Sequence, residues 1–92
     1  MDSRQGGYLM NKVLVLIYVP LLDEQYDCLI PINQKIGVIK NHLIKSINEM
    51  MGDGNYINEN AKLYSKDTSD NYDADIYVKD SGIKNGAKLV LM

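Results

Sequence analysis

Hydrophobic residues between Asn33 and Met51 recur every three or four positions, which is the repeat of one face of an α-helix. The stripe consists of Ile36, Ile39, Leu43, Ile47 and Met50, widened by Ile44 and Met51. We therefore predict a helix over residues 33–51, with Asn33 as its N-terminal cap and Gly52 at its C-terminal cap. Its apolar face should form the centre of the core, so that Leu43→Ala costs about 2–5 kcal/mol.

The segment Lys12 to Val19 is rich in valine, leucine and isoleucine and is too short for a helix with its own core. It is predicted to be a β-strand. Both of its faces are apolar, because Leu14, Leu16 and Tyr18 alternate with Val13, Val15 and Ile17. Such a strand is either central and covered on both sides, or has one face available to a partner.

Four further strands are predicted, over residues 26–32, 61–65, 76–78 and 87–92. In the first of them Tyr26, Cys28 and Ile30 share one face. Two strands, a helix and a return to strands are typical of an α+β fold of the β-grasp type. We expect a mixed sheet of four to five strands, with one helix packed across it and the last strand parallel to the first.

A length of 92 residues fits one domain, which we place at residues 10–92. Residues 1–9 have no periodicity and are expected to be a disordered or expression-derived N-terminal segment. The net charge of −2 gives no electrostatic reason to expect nucleic acid, and no apolar run is long enough for membrane insertion. Cys28 is the only cysteine, which favours a reducing cytoplasm.

The candidate chemical groups do not form a reactive constellation. His42 is a lone histidine within the predicted helix, and Cys28 shares the core side of its strand. Residues 71–75 begin like a calcium-binding EF-hand loop, but Ile76 stands where that loop needs glycine. We therefore expect no enzymatic activity, no catalytic or metal-binding residues and no cofactor.

The segment from Val78 to Leu91 resembles the end of ubiquitin-like domains, with Asp80 capping a turn, a buried Ile83 and an Asn85-Gly86 reversal. Within that superfamily the chain is similar to the small bacterial proteins of the YukD/EsaB family. The shared motifs are Tyr26-Asp27-x-x-Ile30 and Ser81-Gly82-Ile83-x-Asn85-Gly86.

This resemblance implies a non-catalytic accessory or regulatory protein of a Gram-positive type VII (WXG-type) secretion system. Such a protein is cytoplasmic and acts through contacts with a protein partner of the secretion machinery, with a homodimer as a further possibility. The alternative is a β-grasp carrier or enzyme-associated subunit. A C-terminal Gly-Gly, which carriers use, is absent from the end Leu89-Val90-Leu91-Met92. A β-grasp domain unrelated to secretion is a third reading.

The resemblance places Tyr26, Cys28 and Ile30 inward, and counting back across the hairpin then assigns Leu14, Leu16 and Tyr18 to the core. The opposite row is left on the uncovered face of the sheet. The predicted partner surface is Val13, Val15, Ile17, Leu29 and Val90. On this assignment Val15→Asp should abolish association and leave thermal stability unchanged.

Overall fold

The computed structural model describes residues 11–52 and 56–92. It contains β1 (Lys12–Val19), β2 (Glu24–Pro31), α1 (Ile36–Met51), β3 (Leu63–Ser65), a 3₁₀ turn (Val78–Asp80) and β4 (Ala87–Leu91). The four described strands form one sheet in the order β2-β1-β4-β3. Helix α1 packs across one face of that sheet, so the predicted α+β architecture is confirmed. The predicted extra segment, residues 1–9, lies outside the described residues.

The two central strands are β1 and β4, and they run parallel, as predicted for the first and last strands. Val15 lies beside Ala87, and Ile17 lies beside Leu89. The outer strands are antiparallel to their neighbours, β2 to β1 and β3 to β4. The core therefore receives residues from all four strands.

Helix α1 begins at Ile36, three residues later than predicted, and Asn33 is not its cap. The backbone N–H of Ile36 donates to the carbonyl of Ile76 at 2.9 Å, and that of Gly37 donates to the carbonyl of Ala74 at 2.9 Å. A neighbouring loop thus satisfies donors that a side-chain cap would otherwise bind. The predicted end is confirmed, because Gly52 follows Met51 with a φ of 102° and donates its N–H to Glu49.

The apolar stripe of α1 is buried over its first three turns and exposed at its end. Its buried members are Ile36, Ile39, Ile44 and Ile47. Leu43 is only half-buried at the margin of the core, and Met50 is 62% exposed. The last turn of the helix therefore extends beyond the hydrophobic cluster, which hydrophobic periodicity alone does not reveal.

The prediction of a β-strand at residues 76–78 is wrong. The N–H of Val78 donates to Gln34 O at 2.9 Å, and that of Lys79 donates to Ile32 O at 3.0 Å. The segment thus bonds to the connection between β2 and α1, and it turns at Val78 into the 3₁₀ turn. Val78 is fully buried and Ile83 is buried too, so this segment contributes to the core although it is not a strand.

Candidate functional site

The face of the sheet away from α1, called here the open face, carries an apolar patch. Leu29 is 57% exposed and Leu14 is 42% exposed, while the other members are half-buried. Strand pairing brings these residues together, because Leu14 lies opposite Leu29, and Val90 lies between Tyr18 and Tyr64. The patch consists of Leu14, Leu16, Tyr18, Leu29, Tyr64 and Val90.

The prediction of the partner surface is wrong for Val13, Val15 and Ile17, which face the core and not the open face. Val15 and Ile17 have no exposed surface, and Val13 packs against the same core. The antiparallel register sets Val13, Val15 and Ile17 opposite Ile30, Cys28 and Tyr26, and residues directly opposite each other share a face. Tyr26, Cys28 and Ile30 do point inward, so the odd-numbered row of β1 must accompany them.

Leu29 and Val90 do lie on the open face. The other members, Leu14, Leu16, Tyr18 and Tyr64, are not in the predicted surface, although the sequence holds a signal for those of β1. The turn of four residues, 20–23, makes odd-numbered residues of β1 pair with even-numbered residues of β2. Any even turn length has that consequence, so the inward Tyr26 already implied an inward Ile17.

The loop before β4 fixes the position of Leu14 in the patch. Asn85 Oδ1 accepts a hydrogen bond from the N–H of Leu14 at 2.8 Å, and the N–H of Gly86 donates to the Leu14 carbonyl at 2.8 Å. Gly86 has a φ of 85°, and Ala87 N–H bonds Lys84 O across the turn. The predicted Asn85-Gly86 reversal is thereby confirmed, and it anchors the end of the patch.

Charged side chains are divided between the two halves of the open face. Asp27 on β2 lies opposite Leu16, and Lys88 on β4 lies on the other side of Leu16. Lys66 follows β3 and donates its N–H to the Lys88 carbonyl at 2.9 Å, which extends this row across the sheet. In the row that contains Leu16, the β2 side is therefore acidic and the β4–β3 side is basic.

Tyr18 links the patch to the β1–β2 turn. Its hydroxyl donates to Asp23 Oδ1 at 2.9 Å, and the ammonium of Lys66 lies 5.8 Å from the centre of its ring. The hydrogen bond to Asp23 is the main reason that the pKa of Tyr18 is raised, with smaller contributions from desolvation and the Asp23 charge. The hydrogen bond to Asp23 therefore fixes the Tyr18 ring at this end of the patch.

The other candidate groups lie apart from this surface. Cys28 is half-buried on the core side of β2, and its pKa is raised, mainly by burial and then by the charge of Asp27. A raised pKa keeps the sulfur as a thiol, which is the opposite of what a nucleophile needs. His42 is exposed on α1. Among the described residues no three potential ligands cluster around a possible metal position.

None of the helices formed by residues 11–52 and 56–92 has the length and apolar character to cross a membrane. No protein-family model matches the sequence, and no curated protein matches it significantly. Comparisons with solved structures do find similar folds.

One similar structure is the ubiquitin-like domain of the type VII secretion system protein EccD1 of Mycobacterium tuberculosis. It is 14% identical over 88% of this chain and 97% of that chain, with a TM-score of 0.68. A chain of the MycP5-free ESX-5 inner membrane complex is 17% identical over 89% of this chain, with a TM-score of 0.72. This chain spans only 21% of that longer chain.

A chain of phenol hydroxylase from Pseudomonas sp. OX1 is similar to the same degree. It is 17% identical over 92% of this chain and 75% of that chain, with a TM-score of 0.70. The same architecture thus occurs in proteins of unrelated activity, and identities this low show the fold alone. The protein has the ubiquitin-like β-grasp fold.

Proposed function

We propose that this protein is a non-catalytic accessory or regulatory protein of a Gram-positive type VII secretion system, and that it acts in the cytoplasm through protein contacts. Two independent likenesses support the proposal. The sequence motifs around Tyr26 and Ser81 resemble those of the YukD/EsaB family, and the fold is similar to that of the EccD1 ubiquitin-like domain, which comes from a type VII secretion system.

The apolar patch of the open face is the observation that carries the mode of action. Leu14, Leu16 and Leu29 lie in adjacent positions of two paired strands, where a monomer exposes them together to water. Covering apolar surface contributes about 25 cal/mol per Å². A contiguous apolar patch framed by polar groups is typical of a protein contact surface.

The main alternative is a subunit that associates with an enzyme, and the likeness to a chain of phenol hydroxylase favours it. That likeness is at the level of the fold, whereas the secretion likeness also has sequence motifs. The two readings differ in the partner, which would be an enzyme subunit in one case and a secretion component in the other.

A matched pair of variants tests the proposal in the native host. Leu16→Asp places a charge in the middle of the patch, and Leu21→Asp places the same charge on an exposed leucine of the β1–β2 turn. We expect Leu16→Asp to reduce export of WXG-type substrates at least tenfold, on the order of what losing one central contact causes. Leu21→Asp should leave export unchanged.

The partner is identified in the same cells by a photocrosslinking amino acid placed at Leu16, with the same group at Leu21 as control. A type VII secretion component crosslinked only from position 16 supports the proposal. Unchanged export by the Leu16→Asp variant, with normal protein levels, would overturn it. Crosslinking to an enzyme subunit would favour the alternative.

A further inference from the structure

The charges in the central row of the open face have a self-complementary arrangement. Asp27, Leu16, Lys88 and Lys66 form one row that crosses the sheet from β2 to β3. Strands are about 4.8 Å apart, so Asp27 and Lys88 are roughly 10 Å apart within one copy. The row is thus acidic at one end, apolar at Leu16 and basic at the other end.

We propose that the open face binds a second copy of this chain, with the two sheets facing each other around a two-fold axis parallel to the strands. This axis reverses the strand order, so β2 of one copy lies over the β4–β3 half of the other. Asp27 then faces Lys88 and Lys66 of the second copy, twice per dimer. The apolar patches meet between these charge pairs.

The outer edge of β2 is a less suitable surface for binding a second copy. Ile32 N–H donates to Asn11 O, so even-numbered residues of β2 bond to β1, and the backbone groups of Gln25, Asp27 and Leu29 point outward. Pro31, next in that outward series, has no N–H to donate. A charged residue and a proline on an exposed edge oppose strand-to-strand pairing.

The area of the open face predicts a weak dimer. Four strands about 4.8 Å apart and about five residues long cover roughly 300 Å² in projection. Stable interfaces bury about 800 Å² on each partner. An interface this small belongs with weak, transient contacts, so dimers are expected only at high protein concentration, which leaves the face free for another partner at low concentration.

Charge reversal tests this arrangement with purified full-length protein. One variant is Asp27→Lys, and the other combines Lys66→Glu with Lys88→Glu. In a homodimer of either variant, like charges face each other, and sedimentation equilibrium should show association weakened at least tenfold. In an equimolar mixture each variant meets opposite charge, so association should return to about the wild-type level.

Two results would overturn the inference: a wild-type protein that stays monomeric at about 1 mM, or a mixture that associates no better than its components. The experiment also detects dimers that pair through their β2 edges, which would contradict the inference. In such dimers Lys66 and Lys88 lie far from the contact, so reversing their charge would not change association. Circular dichroism and the melting temperature of each variant confirm that it is folded.

The inference rests on the proposed function only in making the open face a contact surface. Sedimentation measures self-association without secretion, and export measures secretion without self-association. Unchanged export in the Leu16→Asp strain beside a reversible dimer removes only the secretion role. A monomeric protein whose Leu16→Asp variant still stops export removes only the dimer.

Discussion

The side chain of Asn48 on α1 binds both backbone groups of Ile57. Its Nδ2 donates to the Ile57 carbonyl at 3.1 Å, and its Oδ1 accepts from the Ile57 N–H at 2.9 Å. The side-chain amide of Asn48 thus supplies the donor and the acceptor that a neighbouring β-strand would offer to the backbone of Ile57. This pair holds the loop after α1 against the helix and keeps the Ile57 side chain, which is 4% exposed, in the core.

Replacing Asn48 with alanine should destabilise the domain by about 1–3 kcal/mol, because two partly buried backbone groups lose their partner. Urea unfolding measures this difference. Asn41→Ala is the matched control, since Asn41 is an exposed asparagine on the same helix. Equal stability of the two variants would contradict the structural role of Asn48.

Hydrophobic periodicity was sufficient to predict that β1, α1 and β4 exist, because each contains a continuous apolar pattern. It could not place the start of α1 or the 3₁₀ turn. Those depend on hydrogen bonds between segments far apart in sequence, such as Ile36 with Ile76 and Val78 with Gln34. No local signal at Asn33 or at residues 76–78 records these partners.

The open face was predicted to exist, but with the wrong row of β1. Leu16 and Val15 are similarly hydrophobic, so burial cannot be assigned from their character alone. Only the pairing with β2 distinguishes them, through the turn length and the inward Cys28. The charge division between Asp27 and Lys88 needed the strand order, which places these residues on opposite sides of Leu16.

Gly37 is a second position where α1 depends on close packing. A Cβ added there would lie 3.1 Å from both the Cβ and the carbonyl oxygen of Ala74. Gly→Ala inside a helix usually stabilises by about 1 kcal/mol. We expect Gly37→Ala to give no gain, or a loss of up to about 1 kcal/mol, because the loop must move.

Two comparisons test this explanation by chemical denaturation. Ser46→Ala, at an exposed position of the same helix, should gain a few tenths of a kcal/mol, about the difference in helix propensity. Ala74→Gly should make Gly37→Ala less unfavourable, since it removes one of the two close atoms. A full gain of about 1 kcal/mol from Gly37→Ala alone would show that the loop yields freely.

The Tyr18–Asp23 hydrogen bond predicts a pH dependence. Because the folded state raises the Tyr18 pKa, its contribution to stability is complete below the unfolded pKa and is lost as pH rises through the folded pKa. NMR titration of the Tyr18 ring measures the shift directly and separates it from the other tyrosines. The pKa should lie above that of an unperturbed tyrosine.

Changes at Asp23 identify the cause of the shift. Asp23→Gly should lower the Tyr18 pKa toward its ordinary value, and glycine suits the φ of 51° at this position. Asp23→Asn keeps an oxygen acceptor without the charge, so part of the increase should remain. An unchanged pKa in the glycine variant would mean that Asp23 is not responsible.

Val15 and Leu16 are neighbours on opposite faces of β1, and aspartate at each should have opposite consequences. Val15 has no exposed surface, so Val15→Asp buries a carboxylate without a partner and should cost more than about 4 kcal/mol. That is comparable with the total stability of many small domains, about 5–15 kcal/mol. Leu16→Asp, at a half-buried position of the open face, should cost less than Val15→Asp, about 1–3 kcal/mol, and should abolish self-association. Urea unfolding and sedimentation of both variants measure the two effects, with Leu21→Asp as the exposed control. A folded Val15→Asp variant that fails to associate, beside an unfolded Leu16→Asp variant, would reverse the assignment of the two rows and remove the patch on which both proposals depend.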